Sequence, residues 1–268
     1  MNIAQLLKLE YIKYQPTAIF RISILAYLVL LPLIFWAYYS MTSNNLDDVM
    51  EGVLEIKTQF KFPKVFDTFA YLSSWLSFFF LPFLSILIVS NEYSDRTLRQ
   101  SIINGLTREQ FLISKIAVLM ILSATCAFYA ILLGFVFGFA NGSHISEMGS
   151  GPMTVFYIFL QNLGYCSMGF FLAVMVRRSG IAIFILMPYI FFIERLIRYL
   201  VLNQLGLNKA SDYLPANIFN SLITSPIEKL QSMANITSLP VSVAVAVSLF
   251  YIVVFLGGAI IHFKKKDI

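Results

Sequence analysis

Charge is scarce in this chain. Of its 268 residues, 12% are Asp, Glu, Lys or Arg, about half the share of a soluble globular protein, roughly 25%. With 59% hydrophobic residues, 26 Phe and a mean hydropathy of +0.79, polar side chains are too few to cover a water-facing surface. That excludes an ordinary soluble domain and makes lipid the natural solvent. Histidine is scarcer still, with His144 and His262 the two present. There is no HExxH, no GxSxG and no pair of carboxylates within one apolar run, so metal or hydrolytic chemistry has no constellation to work with. His144 and Glu147, three apart, come nearest. Cys126 and Cys166 both fall in apolar runs without a CxxC pattern. They read as small buried hydrophobes, not as a disulfide framework. No GxxxxGK[ST] loop is present, and there is no room for a nucleotide-binding domain. No small-residue cleavage site follows the first apolar run, so the N-terminus reads as uncleaved. No internal repeat or midplane ion ligand favours a secondary transporter.

What the chain has in quantity is long apolar runs near the roughly 20 residues that cross a bilayer. The predicted spans are Phe20–Tyr39, Asp67–Ser90, Glu109–Ala140, Met153–Val176, Gly180–Leu202 and Leu239–Phe263. The runs are solid, whereas barrel strands would alternate, so the predicted fold class is an all-α polytopic membrane protein with six transmembrane helices. Basic residues gather near the N-terminus (Lys8, Lys13, Arg21), around residues 91–115 (Arg96, Arg99, Arg108, Lys115), at Arg177 and Arg178, and at Lys264–Lys266. On that side stand twelve basic and five acidic residues, a net of +7; the whole chain carries +5, so the remainder carries −2. The positive-inside rule then places both termini in the cytoplasm. The excess reports orientation and is no sign of nucleic-acid binding.

Outside lie the acidic loop Met41–Phe66, the short loop Asn141–Pro152 and the segment Asn203–Pro240. In the first, "NNLDDVMEGVLEIK" fits a solvated loop or a short helix. In the last, Ile218, Phe219, Leu222 and Ile223 have helical spacing and suit a short helix on, or dipping into, the outer leaflet. The sequons at Asn141 and Asn235 and the C-terminal "KKDI" read as chance matches and a charge anchor, which fits a bacterial plasma membrane. In residues 1–16, Ile3, Leu6, Leu7, Tyr11 and Tyr14 share one helical face, and Pro16 ends the helix. This predicts an amphipathic interfacial helix; the alternative is a water-exposed stub of the first span.

The polar island Ser90–Lys115 interrupts this pattern. Ser94 can cap a short helix with Asp95 in its first turn, and Asp95 can pair with Arg99. Leu98 and Ile102 form a narrow apolar stripe. Gly105 supplies a left-handed stop. Thr107 and Gln110 have capping-box spacing, and Leu106 and Phe111 form a staple into the third span. A rigid knob of this kind is what docking to a soluble partner requires; an idle loop is the alternative.

Glu92, Thr97, Gly105, Thr107–Arg108 and Lys115 resemble the cytoplasmic signature of ABC-2 type transporter permeases: a Glu, a Gly-Thr, a helix, a small turn with Ser/Thr-Arg, then Lys. The departure is Arg96 in place of Gly, which bears on the tightness of the first turn. The resemblance extends to six spans, the N-terminal helix, the short loop Arg177–Gly180 and the long outer segment before the last span. It implies the membrane subunit of an ATP-driven exporter, not itself an enzyme. Residues 91–108 would form a coupling segment docking on an ATPase through Glu92, Asp95, Thr97, Leu98, Arg99, Ile102, Gly105 and Arg108. It implies two copies of a separate ABC ATPase that hold ATP and magnesium, and a second permease copy, identical or a sister chain. The chain itself would bind no cofactor or metal. Cargo would pass between permease copies along spans one, two and five. Pro32, Pro82 and Pro188 permit kinks there, and the aromatics suit a lipophilic or amphipathic cargo (peptide, lipid or drug) as well as ordinary packing. In span five, Glu194, Arg195 and Arg198 lie about 21–27 Å from Gly180 at 1.5 Å per residue. They read as an outer gate or as a structural ion pair near the headgroups. Rival readings are a secondary transporter, an ATPase-recruiting anchor without transport, and, least supported, an intramembrane enzyme.

Overall fold

The computed structural model describes residues 3–44, 59–94, 97, 100, 103, 105–149, 151–202, 208–223 and 239–265. Among them there is no strand. The long helices are α1 (Ile3–Tyr14), α2 (Ala18–Asn44), α3 (Lys64–Ser94), α4 (Arg108–Ala140), α5 (Thr154–Val176), α6 (Ser179–Pro188), α7 (Pro215–Ser221) and α8 (Val241–Lys265). After α6 the chain continues through wide π-helical turns at Tyr189–Ile193 and Ile197–Leu202, with one α-turn, Glu194–Leu196, between them. Among the described residues, six helices are long and apolar enough to cross a membrane: α2, α3, α4, α5, the stretch Ser179–Leu196 and α8. They match the six predicted spans, most within a few residues at each end.

The centre of the bundle is the α3–α5 pair. In each, 72% of the most apolar stretch is buried, against 22% in α2, the fifth span and α8. Gly169 of α5 makes the close approach possible. A Cβ there would stand 2.6 Å from the Pro82 carbonyl oxygen, closer than real Cβ atoms come. Small residues of this kind let membrane helices pack backbone to backbone. Pro82 leaves the carbonyl four residues back without its usual donor, yet α3 runs on through it. Aromatic stacking fills one end of the bundle: Phe35 lies on Phe69 at 4.1 Å and Phe62 on Phe66 at 5.1 Å.

Helix α7 is where the spacing of Ile218 and Phe219 put it, and protein covers its apolar face. Ile218 and Phe219 are fully buried, and Phe219 seats its ring against Gly164 and Tyr165 of α5. Helix α1 turns part of its predicted apolar face inward, with Leu6 and Tyr14 buried and Leu7 half-buried, but the charged Glu10 goes in with them and Tyr11 stays out. Leu9 and Ile12 are exposed too. His144 and Glu147 form a turn, with Glu147 accepting from the His144 backbone N–H at 3.3 Å. Most of the acidic loop (residues 45–58) and Asn235 lie outside the described residues. Cys126 and Cys166 are buried free thiols.

Candidate functional site

Lys115 sits about two turns into α4 and is fully buried. An ammonium taken out of water loses several kcal/mol of hydration, so its partners decide whether it is tolerated. Its three N–H donors meet three acceptors, each at 2.5 Å: Glu10 Oε2, Glu92 Oε1 and the Tyr14 hydroxyl. Its ammonium also lies 4.9 Å from the Tyr14 ring and 5.2 Å from the Phe111 ring, both favourable cation–π positions.

The acceptors are themselves held. Glu92, at the end of α3, takes both oxygens to Lys13 at 2.7 Å and one to the Thr97 hydroxyl at 2.5 Å. Glu10 Oε1 lies 3.0 Å from the Ser114 hydroxyl. Tyr14 donates to the Ile88 carbonyl at 3.0 Å. Burial, reinforced by the Glu10 and Glu92 charges, pushes the Tyr14 phenol well above its ordinary pKa, so it stays protonated. Two ammonium groups face two carboxylates, and the cluster is neutral as a whole. It ties four pieces together: α1 through Glu10, Lys13 and Tyr14; α3 through Glu92; the island through Thr97; and α4 through Lys115.

The described island residues fit the predicted shape except at its start: Ser94 does not cap a separate helix but ends α3, its hydroxyl donating to the Ser90 carbonyl at 3.3 Å. Thr97, Gln100 and Ile103 are helical. Gly105 has φ +91°, with no atom near enough to object to a side chain, so the backbone alone requires glycine there. Thr107 and Gln110 make both bonds of the capping box at the start of α4. Asp95, Leu98, Arg99 and Ile102 lie outside the described residues. Arg108 begins α4 and is half-exposed. Nearby, Lys264 of α8 bonds Glu109 at 2.6 Å, and Phe263 stacks on Phe111 at 5.7 Å. The last span therefore ends against the same corner.

Sequence reasoning named Glu92, Thr97 and Lys115 but missed Glu10, Lys13 and Tyr14 as their partners. A signal was available. Glu10 lies between Leu6 and Tyr14 at four-residue spacing, so a carboxylate sits in the middle of one face. Its partner Lys115 is 105 positions away, which no local pattern reports.

Glu194 is buried and takes a different role. Its oxygens accept from the backbone N–H groups of Ala216 at 3.1 Å and Asn217 at 2.7 Å. Helix α7 opens with Pro215 after Leu214, which offers no capping side chain, and Glu194 supplies the missing acceptor. The side chain of Arg198 lies outside the described residues. Arg195 is exposed and lines two small cavities of about 180 Å³ each, with Phe78 and Asn220. Among the described residues no group of His, Cys, Asp and Glu is placed to hold a metal ion.

The fold and this cluster define a multi-pass membrane protein, helical and without strands among its described residues, whose N-terminal helix is clamped to its second and third spans. The chain belongs to the family described as "Protein of unknown function (DUF2705)", whose model matches residues 57–268. Glu92, Lys115 and Glu194 fall within the matched region, and Glu10, Lys13 and Tyr14 precede it. No curated protein matches the chain.

Proposed function

We propose that the chain is the membrane-spanning permease subunit of an ATP-driven exporter of the ABC-2 type. It would sit in a bacterial plasma membrane with its termini and residues 91–108 in the cytoplasm. One observation carries this reading. Glu92, Thr97 and Lys115, the positions that a coupling signature spreads along the sequence, meet in one buried hydrogen-bonded cluster. An idle loop has no need to be anchored to three helices. A segment that takes a push from a partner does, because force applied to it must reach the spans.

The mechanism follows from the bonds. ATP, with magnesium, closes a dimer of separate ATPase subunits, and the docked segment moves. Glu92 and Lys115 hold the ends of α3 and α4 together, so the two helices tilt as a pair. Helix α1 follows through Glu10 and Lys13. A second permease copy supplies the other wall of the path. The cargo is lipophilic or amphipathic, of peptide, lipid or drug type, in keeping with the aromatic α2 and α3 faces.

The test is a docking variant. Replacing Leu98 and Ile102 together with Asp removes the apolar stripe, and the chain is expected to insert normally but to lose its copurifying ATPase. Full retention of the ATPase by that double variant would rule out the coupling assignment.

A further inference from the structure

A cleft of about 470 Å³ opens between α2 and α4, with α3 as its floor. Phe20, Ile24 and Leu28 line one wall, and Val118, Leu122 and Thr125 the other. Helix α1 closes one end with Leu7 and Tyr11. At the other end the Tyr129 hydroxyl donates to the Leu28 carbonyl at 2.7 Å and bridges the walls.

Most of the polar groups along it are already engaged. Tyr27 bonds Ser73 at 2.9 Å, Thr125 bonds the Ile121 carbonyl at 2.8 Å, and Glu10 and Tyr14 belong to the Lys115 cluster. Ser23 apart, the walls are built of carbon: Phe20, Ile24, Leu28, Leu81, Leu84 and Leu122. An apolar chain is the occupant its walls suit.

Length points to which one. From Phe20 to Leu28 the α2 wall rises about 12 Å, and from Val118 to Tyr129 the α4 wall rises about 16 Å, at 1.5 Å per residue. A single leaflet is about 15 Å of hydrocarbon, half of the roughly 30 Å core. The mouth passes Ile121, which is 51% exposed on a membrane-spanning helix. At the α1 end, Lys8 and Arg21 are exposed. Lys13 is taken by Glu92, but neither Lys8 nor Arg21 has a carboxylate partner among the described residues; Arg21 makes one bond, to the Pro16 carbonyl at 3.3 Å.

We propose that the cleft holds one acyl chain of a resident anionic phospholipid from the leaflet on the α1 side, with its phosphate between Lys8 and Arg21. The lipid wedges between α1 and the spans and packs against the outer face of the Glu10–Lys115 cluster. This requires neither an ATPase nor an assignment of which side is cytoplasmic, so it stands or falls apart from the export reading.

The experiment uses the full chain in nanodiscs of phosphatidylcholine, with or without phosphatidylglycerol, the probe lipid carrying a photoactivatable group on its acyl chain. Cross-links are mapped by mass spectrometry. Labelling of Ile24, Ile121 and Thr125 is expected to exceed that of Phe250 and Val253, which are exposed on α8. Phosphatidylglycerol is expected to be favoured over phosphatidylcholine by about thirtyfold, as two basic residues at an anionic headgroup imply. Lys8→Gln with Arg21→Gln, both at exposed positions, should abolish that preference while cleft labelling persists. Leu122→Trp should fill the cleft and remove the labelling in both lipids. Cleft labelling no greater than on α8, or a phosphatidylglycerol preference unchanged in the double Gln variant, would overturn the proposal.

Discussion

Lys115 has three protons to donate and three acceptors in reach, and that match makes a fully buried ammonium tolerable in an apolar bundle. Removing one member is therefore worse than never having built the cluster. Lys115→Met leaves Glu10 and Glu92 facing each other without their shared cation. The expected loss is about 3–5 kcal/mol, the usual result of breaking a buried pair from one side, read as a large drop in thermal stability of the purified chain. Adding Glu10→Gln to Lys115→Met should restore part of it, because one uncompensated charge is then gone. Additive losses in the double variant would mean that the two side chains are not coupled. Glu194 is a second case. Glu194→Ala strips the acceptor from two backbone N–H groups and should cost about 1–2 kcal/mol, the scale of a lost helix cap. Glu194→Gln keeps one acceptor oxygen and should cost less, which thermal unfolding of the two variants would check. Equal losses would show that the capping bonds are not what holds this residue. Of these groups the sequence displayed the charges but not their partners. Span-five charges pointed along their own helix, toward an ion pair or a gate, whereas the partner of Glu194 is the backbone of a helix that starts more than twenty residues later.

At the scale of elements, the turn at Gly105 joins the island to α4 and needs a left-handed backbone. Gly105→Val is expected to strain this junction by about 1–2 kcal/mol, the penalty of placing a Cβ in that region. Since nothing surrounds the site, the effect should be confined to the junction. Membrane insertion should be unchanged and ATPase copurification reduced, by side-by-side purification of the variant and the parent. Equal ATPase recovery would show that the junction's rigidity is unimportant. The spans were legible because lipid demands an unbroken apolar run, and nothing else in the chain produces one. Their ends were less so. Helix α3 starts at Lys64 and runs to Ser94, past the apolar stretch, since polar residues prolong a helix into the interface without adding to its hydropathy. The burial of α7 escaped the sequence for a related reason: an apolar face looks the same whether lipid or protein covers it. The inward turn of Glu10 escaped because an amphipathic pattern assigns charged residues to the outside, and here the charge is paired.

For the molecule as a whole, the arrangement is asymmetric. A heavily buried α3–α5 core is flanked by helices that keep much of their surface exposed, and the charged clamp stands at one end, where α1, the island, α4 and the end of α8 converge. Such a bundle can move as a unit when pushed at that end, and its exposed flanks leave room for a second copy. The claim that joins these features is that a separate ATPase does the pushing. Its most direct test is purification of the intact chain from its native membrane in mild detergent, with identification of every stoichiometric companion. The account requires a soluble polypeptide with a Walker A loop in the eluate, retained by the parent chain and lost with Leu98→Asp and Ile102→Asp. Recovery of the chain with no ATPase, under conditions that keep other membrane complexes whole, would contradict it.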